Sequence, residues 1–236
     1  MAMGDIAANL RRVGARISSA AARADRDPAT VELLVVSKTW PVPALQDVLD
    51  AGHHLLGENK LQEAAAKIPA LPTTTRWHFI GHLQRNKARK ALELFETIHS
   101  VDSLKLAIHL DRIAGELKLK SKIYLQLNPA EEESKSGFSE GELRESLDAL
   151  FALEHLRVEG LMSIPPAVES PEEARLSFRE LAGLRDELQD RWGVALPGLS
   201  MGMSHDFEIA IEEGATIVRV GSSIFGPRHV KPGASE

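Results

Sequence analysis

The sequence predicts an α/β protein built as a single (β/α)8 barrel of the TIM type, and three observations carry that prediction. Short β-branched runs alternate with amphipathic stretches along the whole chain, and the strand-like runs number eight. The length of 236 residues, with no Gly/Ser-rich linker or low-complexity block, suits one closed barrel. An open doubly wound sheet fits less well. Its first strand is ordinarily followed by a glycine-rich phosphate turn, and this chain has SKTWP there. Residues 1–228 are assigned to one domain with an N-terminal helix, and residues 229–236, HVKPGASE, to a frayed tail without periodicity.

The elements follow in order. Leu10, Val13 and Ile17 recur at helical spacing with arginines between them, so the start reads as a surface helix and lacks the apolar core and cleavage-type ending of a leader. Strands are predicted at 31–37, 53–57, 76–81, 97–101, 122–128, 155–162, 197–201 and 216–221. Helical patterns fill the intervals at 44–51, 61–68, 84–95, 104–117, 140–150, 171–192 and 206–213, as crossovers between parallel strands require. No run approaches the ~18 apolar residues of a membrane span.

Composition narrows the function. Cys is absent, which excludes disulfide frameworks, thiolate catalysis and cysteine metal sites and fits a reducing, cytoplasmic setting. With 28 basic and 34 acidic side chains the net charge is −6, which opposes wholesale binding to nucleic acid or anionic lipid. Arg85, Lys87, Arg89 and Lys90 form a local basic cluster that reads as a solvated helix face.

In such a barrel the working residues lie beyond the carboxyl ends of the strands, and phosphate is commonly held after strands seven and eight. Lys38 closes the first strand. An ammonium carried out of a buried strand into a cavity is readily desolvated, and the neutral amine it then yields attacks an aldehyde to form a Schiff base. Around the same mouth the pattern brings Glu58, Asn59, His82, Asp102, Ser103, Asn128, Lys135, Ser163, Ser204, Ser222 and Ser223. Ser204 reads as the N-cap of the helix that follows, with Asp206 in its first turn. That helix start and the Gly221-Ser222-Ser223 turn offer amides and hydroxyls to one phosphate. Alternation in TIVRVG sends Ile217 and Arg219 inward and Val218 and Val220 outward. A buried Arg219 should meet an acidic side chain, Glu58 or Asp102, or a ligand.

VVSKTWP, GENKLQEA, WHFIGHLQRNK, the stretch 128–138, GLMSIPP and the segment 199–228 together resemble the pyridoxal phosphate homeostasis protein family, in order and from about Val31 to Arg228. The resemblance implies a barrel of the alanine racemase N-terminal type that binds pyridoxal 5′-phosphate (PLP) as an internal aldimine. By matched position Lys38 is similar to the Schiff-base lysine, and Asn59 lies beside the cofactor. Met201, Ser204, Gly221 and Ser222 belong to the cofactor contacts, the last three to the phosphate cradle, and Arg219 faces the pyridine nitrogen. Ser222 departs from the threonine expected there, keeping the hydroxyl and losing a methyl. No metal is implied.

Arginine at the ring nitrogen makes PLP a weak electron sink, because a group charged to pKa above ~12 only donates. Racemisation needs acid/base groups on both faces of the substrate carbon. The opposite base in alanine racemases is a tyrosine from a second domain, and Tyr124, inside a predicted strand, is the one tyrosine in this chain. The family is regarded as a non-catalytic carrier or regulator of PLP in vitamin B6 and amino-acid homeostasis. The expectation is therefore a monomeric carrier that passes PLP to dependent apoenzymes, with Lys135 as a second amine assisting release. The alternatives are a small amino-acid racemase or slow transaminase, and a partner-binding scaffold that uses PLP as a sensor.

Overall fold

The computed structural model describes residues 5–128, 136–166 and 168–227. Eight parallel strands close into a barrel in sequence order: β1 (Glu32–Val36), β2 (Leu55–Glu58), β3 (Arg76–Phe79), β4 (Thr97–Val101), β5 (Ser121–Leu127), β6 (Leu156–Ser163), β7 (Gly198–Met203) and β8 (Ile217–Val220). Closure is made by β1 on β8, with Leu34 opposite Arg219 and Val35 opposite Val220. The eight predicted strands are all present, with β4 at its predicted bounds and the other ends shifted by at most two residues.

Helices α1 (Ile6–Arg23), α2 (Val42–Asp50), α3 (Leu61–Lys67), α4 (Ala88–Leu94), α5 (Leu104–Leu117), α6 (Glu140–Phe151), α7 (Arg175–Trp192), α8 (Phe207–Glu212) and α9 (Ser222–Phe225) surround it. Local chemistry sets their ends. Ser103 caps α5, Ser139 and Glu142 form a reciprocal capping box on α6, and Gly193 ends α7 in the left-handed conformation. The segments predicted as helices at 84–95 and 171–192 each begin as a tight 3-10 turn, Arg85–Lys87 and Pro171–Ala174, before the α-helix proper. The four-residue α9 carries no periodic signal and was not expected. In the basic cluster, Arg89 pairs with Glu116 and Lys90 with Glu93.

The main core lies between strands and helices, where Val35, Leu45, Leu56, Phe79, Ile98, Leu110, Ile123, Phe178, Leu199 and Val218 are buried together. A smaller apolar group inside the barrel comprises Leu34, Leu55, Tyr124, Met162 and Ile217. Val218 and Val220 join the outer core while Ile217 joins the inner group, as the alternation requires. Helix α1 braces the late elements: Asn9 Nδ2 donates to Ile224 O at 2.7 Å, and Arg16 bonds Glu208 at 2.6 Å while lying over the Phe207 ring. Among the described residues no helix is long and apolar enough to cross a membrane. Lys135 and the tail 229–236 lie outside the described residues.

Gly202, at φ +87, lets β7 turn against α8, and a Cβ there would stand 2.5 Å from Ala210 Cβ. Gly202→Ala should cost about 1–3 kcal/mol by overpacking and backbone strain, read as a lower urea midpoint at unchanged slope. An unchanged midpoint would show that this turn tolerates a side chain.

Candidate functional site

The carboxyl end of β1 carries the turn that holds Lys38, and buried charge fixes it from behind. Lys67 on α3 is 6% exposed, and its Nζ donates to Ser37 O at 2.9 Å, Glu58 Oε1 at 2.7 Å and Glu63 Oε1 at 2.5 Å. Glu63 Oε1 also accepts from Thr39 N at 2.5 Å. Both neighbours of Lys38 are thus tied to one ion-pair cluster. Thr39 sits at φ +69, a region a β-branched residue rarely adopts, and this bond holds it there. Lys38 itself is half-buried.

Glu58 was expected at the mouth and is instead wholly buried within β2. It accepts from Ser37 Oγ at 2.7 Å as well as from Lys67. Burial raises its pKa, opposed by the bonds from Lys67 and Ser37. Asn59 follows it, half-buried, and the backbone at Gly81 packs so closely that a Cβ would lie 2.1 Å from Asn59 O. His82 Nδ1 lies 3.1 Å from Asp102 Oδ2 and 3.1 Å from Ser136 Oγ.

Beside β1, the end of β8 leads into the Gly221 turn. A Cβ at Gly221 would lie 3.2 Å from Val36 O, so glycine permits the close approach of the two strand ends. Trp40 stacks on Phe225, ring centroids 5.0 Å apart, and pins the Lys38 turn to α9. The expectation that Ser204 caps α8 is corrected: Asp206 holds the N-cap position of α8 and its Oδ1 accepts from Met203 N at 2.6 Å. Ser204 Oγ instead accepts from Gly221 N at 3.1 Å and Ser223 N at 3.5 Å, and Ser223 Oγ donates to Ser204 O at 3.3 Å. Two amides therefore converge on one oxygen, and a hydroxyl joins the β7 and β8 loops. Ser222 is exposed at the start of α9. Met201 is wholly buried in the outer core, on the face of β7 away from Ser200.

Arg219 points into the barrel and is 4% exposed. The expected acidic partner is not what it touches: Nη1 donates to Ser200 O at 2.6 Å and Ser200 Oγ at 2.8 Å, and Nη2 to Ser163 O at 2.8 Å. Glu58 is engaged by Lys67, and Asp102 lies beside His82. Burial lowers the Arg219 pKa to about 10, opposed by the Asp206 charge, so the guanidinium stays charged at neutral pH.

Behind Arg219 runs a hydrogen-bond chain that the sequence reading missed. Ser200 Oγ meets His99 Nδ1 at 2.8 Å, and His99 Nε2 meets His78 Nδ1 at 2.9 Å. Arginine only donates, so the Ser200 hydroxyl accepts from it, which leaves that hydroxyl its one proton and a second lone pair to offer His99 Nδ1. The tautomers of His99 and His78 set which ring nitrogen donates along this chain, and at its end the buried His78 Nε2 has no partner among the described residues. Burial lowers the His78 pKa to about 3 and the His99 pKa well below its ordinary value. His99 also stacks on Tyr124 at 4.6 Å. Tyr124 lines a cleft with Thr30, Glu32 and Thr216, at the opposite end of the barrel from Lys38. Among the described residues no group of three His, Cys, Asp or Glu could hold a metal ion.

Two outcomes follow. Lys67→Met strands the buried Glu58 carboxylate and should cost about 3–5 kcal/mol in urea unfolding; a loss below about 1 kcal/mol would contradict the cluster. Each histidine takes up a proton near pH 6.5 when unfolded and resists it when folded. Stability therefore falls as pH drops below 6.5, by up to about 1.4 kcal/mol per unit for each ring, and for His78 the loss continues down to about 3. Urea midpoints at pH 7, 6 and 5 should decline, less steeply in His99→Asn; parallel declines would place the titration elsewhere.

Comparison with known proteins agrees with this geometry. The profile of the family described as alanine racemase, N-terminal domain, matches residues 6–229. The pyridoxal phosphate homeostasis protein of Aquifex aeolicus is 44% identical over 220 residues, 93% of this chain and 96% of the relative. That of Pseudomonas aeruginosa is 46% identical over 229 residues, 96% and 97% of the two chains. Among solved structures, PipY of Synechococcus elongatus with PLP bound is 41% identical, covers 91% of this chain and 100% of its own, and superposes with a TM-score of 0.80. The chain belongs to the alanine racemase N-terminal-domain family and, within it, to the pyridoxal phosphate homeostasis proteins.

Proposed function

We propose that this chain binds PLP through Lys38 and holds it for delivery instead of turnover, acting as a carrier or regulator of the cofactor. The observation that carries this reading is the β1–β8 junction, where the Lys38 turn adjoins the Gly221–Ser223 turn and Trp40 stacks on Phe225. When bound, PLP supplies an aldehyde that a primary amine captures reversibly. The residues present fit such a group. The Gly221 and Ser223 amides converge on an oxygen, here Ser204 Oγ, in a donor arrangement of the kind a phosphate oxygen would take, and the hydroxyls of Ser204 and Ser222 would add to it. In this proposal Lys38 is the capturing amine, Asn59 lies beside the ring, and Arg219 donates to the ring nitrogen. Met201 contributes from the outer core, not through a side chain in the barrel.

Three features favour carriage over catalysis. Arg219 is held by neutral acceptors and has no proton to share at neutral pH. Tyr124, the one tyrosine, is buried in the barrel facing the end away from Lys38, and burial pushes its pKa up, away from the range of a working base. The relatives from Aquifex aeolicus and Pseudomonas aeruginosa carry homeostasis in their names, and PipY has been solved with PLP. The proposal includes a monomer acting in the cytoplasm, a compartment that suits a chain without Cys, with PLP-dependent apoenzymes as recipients.

The visible spectrum of the protein with PLP, before and after borohydride, followed by peptide mapping, tests the assignment. The reduced adduct should map to Lys38, and Lys38→Ala should lose the visible band. An adduct on another lysine would overturn the site. Turnover of D- or L-alanine abolished in Lys38→Ala would replace carriage by catalysis.

A further inference from the structure

The cofactor reading leaves two buried histidines unused. His78 is 2% exposed and His99 fully buried, in a barrel interior that also holds the apolar side chains of Leu34, Leu55, Met162 and Ile217 beside Tyr124, Ser200 and Arg219. Apolar side chains would fill that space without the desolvation that buried imidazoles incur, and the His78 Nε2 at the end of the chain has no partner among the described residues. Packing alone therefore does not account for them. What they do is terminate a run of hydrogen bonds that starts at Arg219 and passes through the Ser200 hydroxyl.

We propose that His99, supported by His78, is a positioning residue for Arg219. By accepting the Ser200 proton, His99 obliges that hydroxyl to turn its lone pairs to the guanidinium, and Arg219 is held in one orientation toward the ring nitrogen of the cofactor. The inference rests on the PLP reading given above. The Ser200 hydroxyl is a free rotor. Without an acceptor at His99 Nδ1 its proton has no fixed direction, and Nη1 keeps only the bond to Ser200 O, while Nη2 keeps Ser163 O. The neutral rings also leave no titrating group behind Arg219 to deliver a proton to the ring nitrogen, which stays an acceptor.

Two measurements test this. Side-chain 15N NMR of the cofactor-free protein at pH 7 should find His99 and His78 neutral, with the proton on Nε2 of each. PLP titration should show His99→Leu weakened about tenfold, the effect of one lost hydrogen bond in a charged network, with a shifted visible maximum. Competition by inorganic phosphate should be unchanged, and His99→Asn, which keeps an acceptor at the Nδ1 position, should recover most of the affinity. If His99→Leu does not fold, Ser200→Ala should show the same weakening and shift. A proton on His99 Nδ1, or parental affinity and spectrum in a folded His99→Leu or Ser200→Ala, overturns the inference alone. A parent protein that does not bind PLP removes the cofactor reading, and this inference with it.

Discussion

The pairing of the first strand with the last is the contact on which the rest depends. Lys38 and Ser223 are far apart in the chain, and nothing local brings them together. When β1 hydrogen-bonds to β8 the two strand ends become neighbours, so the amine and the convergent amides lie at adjacent turns. Glycine at 221 permits the approach and the Trp40–Phe225 stack holds it. Helix α1 contributes from outside by bonding Ile224 and Glu208, so even the start of the chain braces the last turn.

Among the described residues the barrel buries the cations Lys67 and Arg219 and treats them in opposite ways. Lys67 is surrounded by carboxylates, and its role is mechanical: it clamps Ser37 and, through Glu63, Thr39, so that Lys38 emerges from a turn that cannot relax. Arg219 receives only carbonyls and a hydroxyl. A guanidinium held by neutral acceptors keeps its positive field for whatever enters the mouth, whereas one neutralised by a carboxylate would not. The same logic explains the neutral histidines behind it, since a charged imidazole next to Ser200 would oppose Arg219.

Much of this was legible in the sequence. Eight β-branched runs at regular spacing gave the strands because period-2 alternation and length are strong local signals, and the inward turn of Arg219 followed from the valines on either side. What failed were contacts between segments distant in the chain. Ser204 followed by an amphipathic run has every mark of an N-cap, yet the bend at Gly202 carries its hydroxyl to the β8 loop. Glu63 and Lys67 stand four apart on a helix, a spacing typical of a solvated pair, and it is the contact with Glu58 on the neighbouring strand that marks Lys67 as buried. His78 and His99 did leave a trace, each occupying an alternate position in a short apolar strand, but alternation does not reveal that the two rings meet each other and Ser200.

The central claim is that one ligand spans the β1 and β8 turns, and an amide NMR titration of labelled protein with PLP tests it most directly. The account predicts that the Thr39, Gly221 and Ser223 amides move together and saturate at one equivalent, as expected for an aldehyde at Lys38 and a phosphate on the late turn. Perturbation confined to either turn alone, or centred on the cleft around Tyr124, would contradict it.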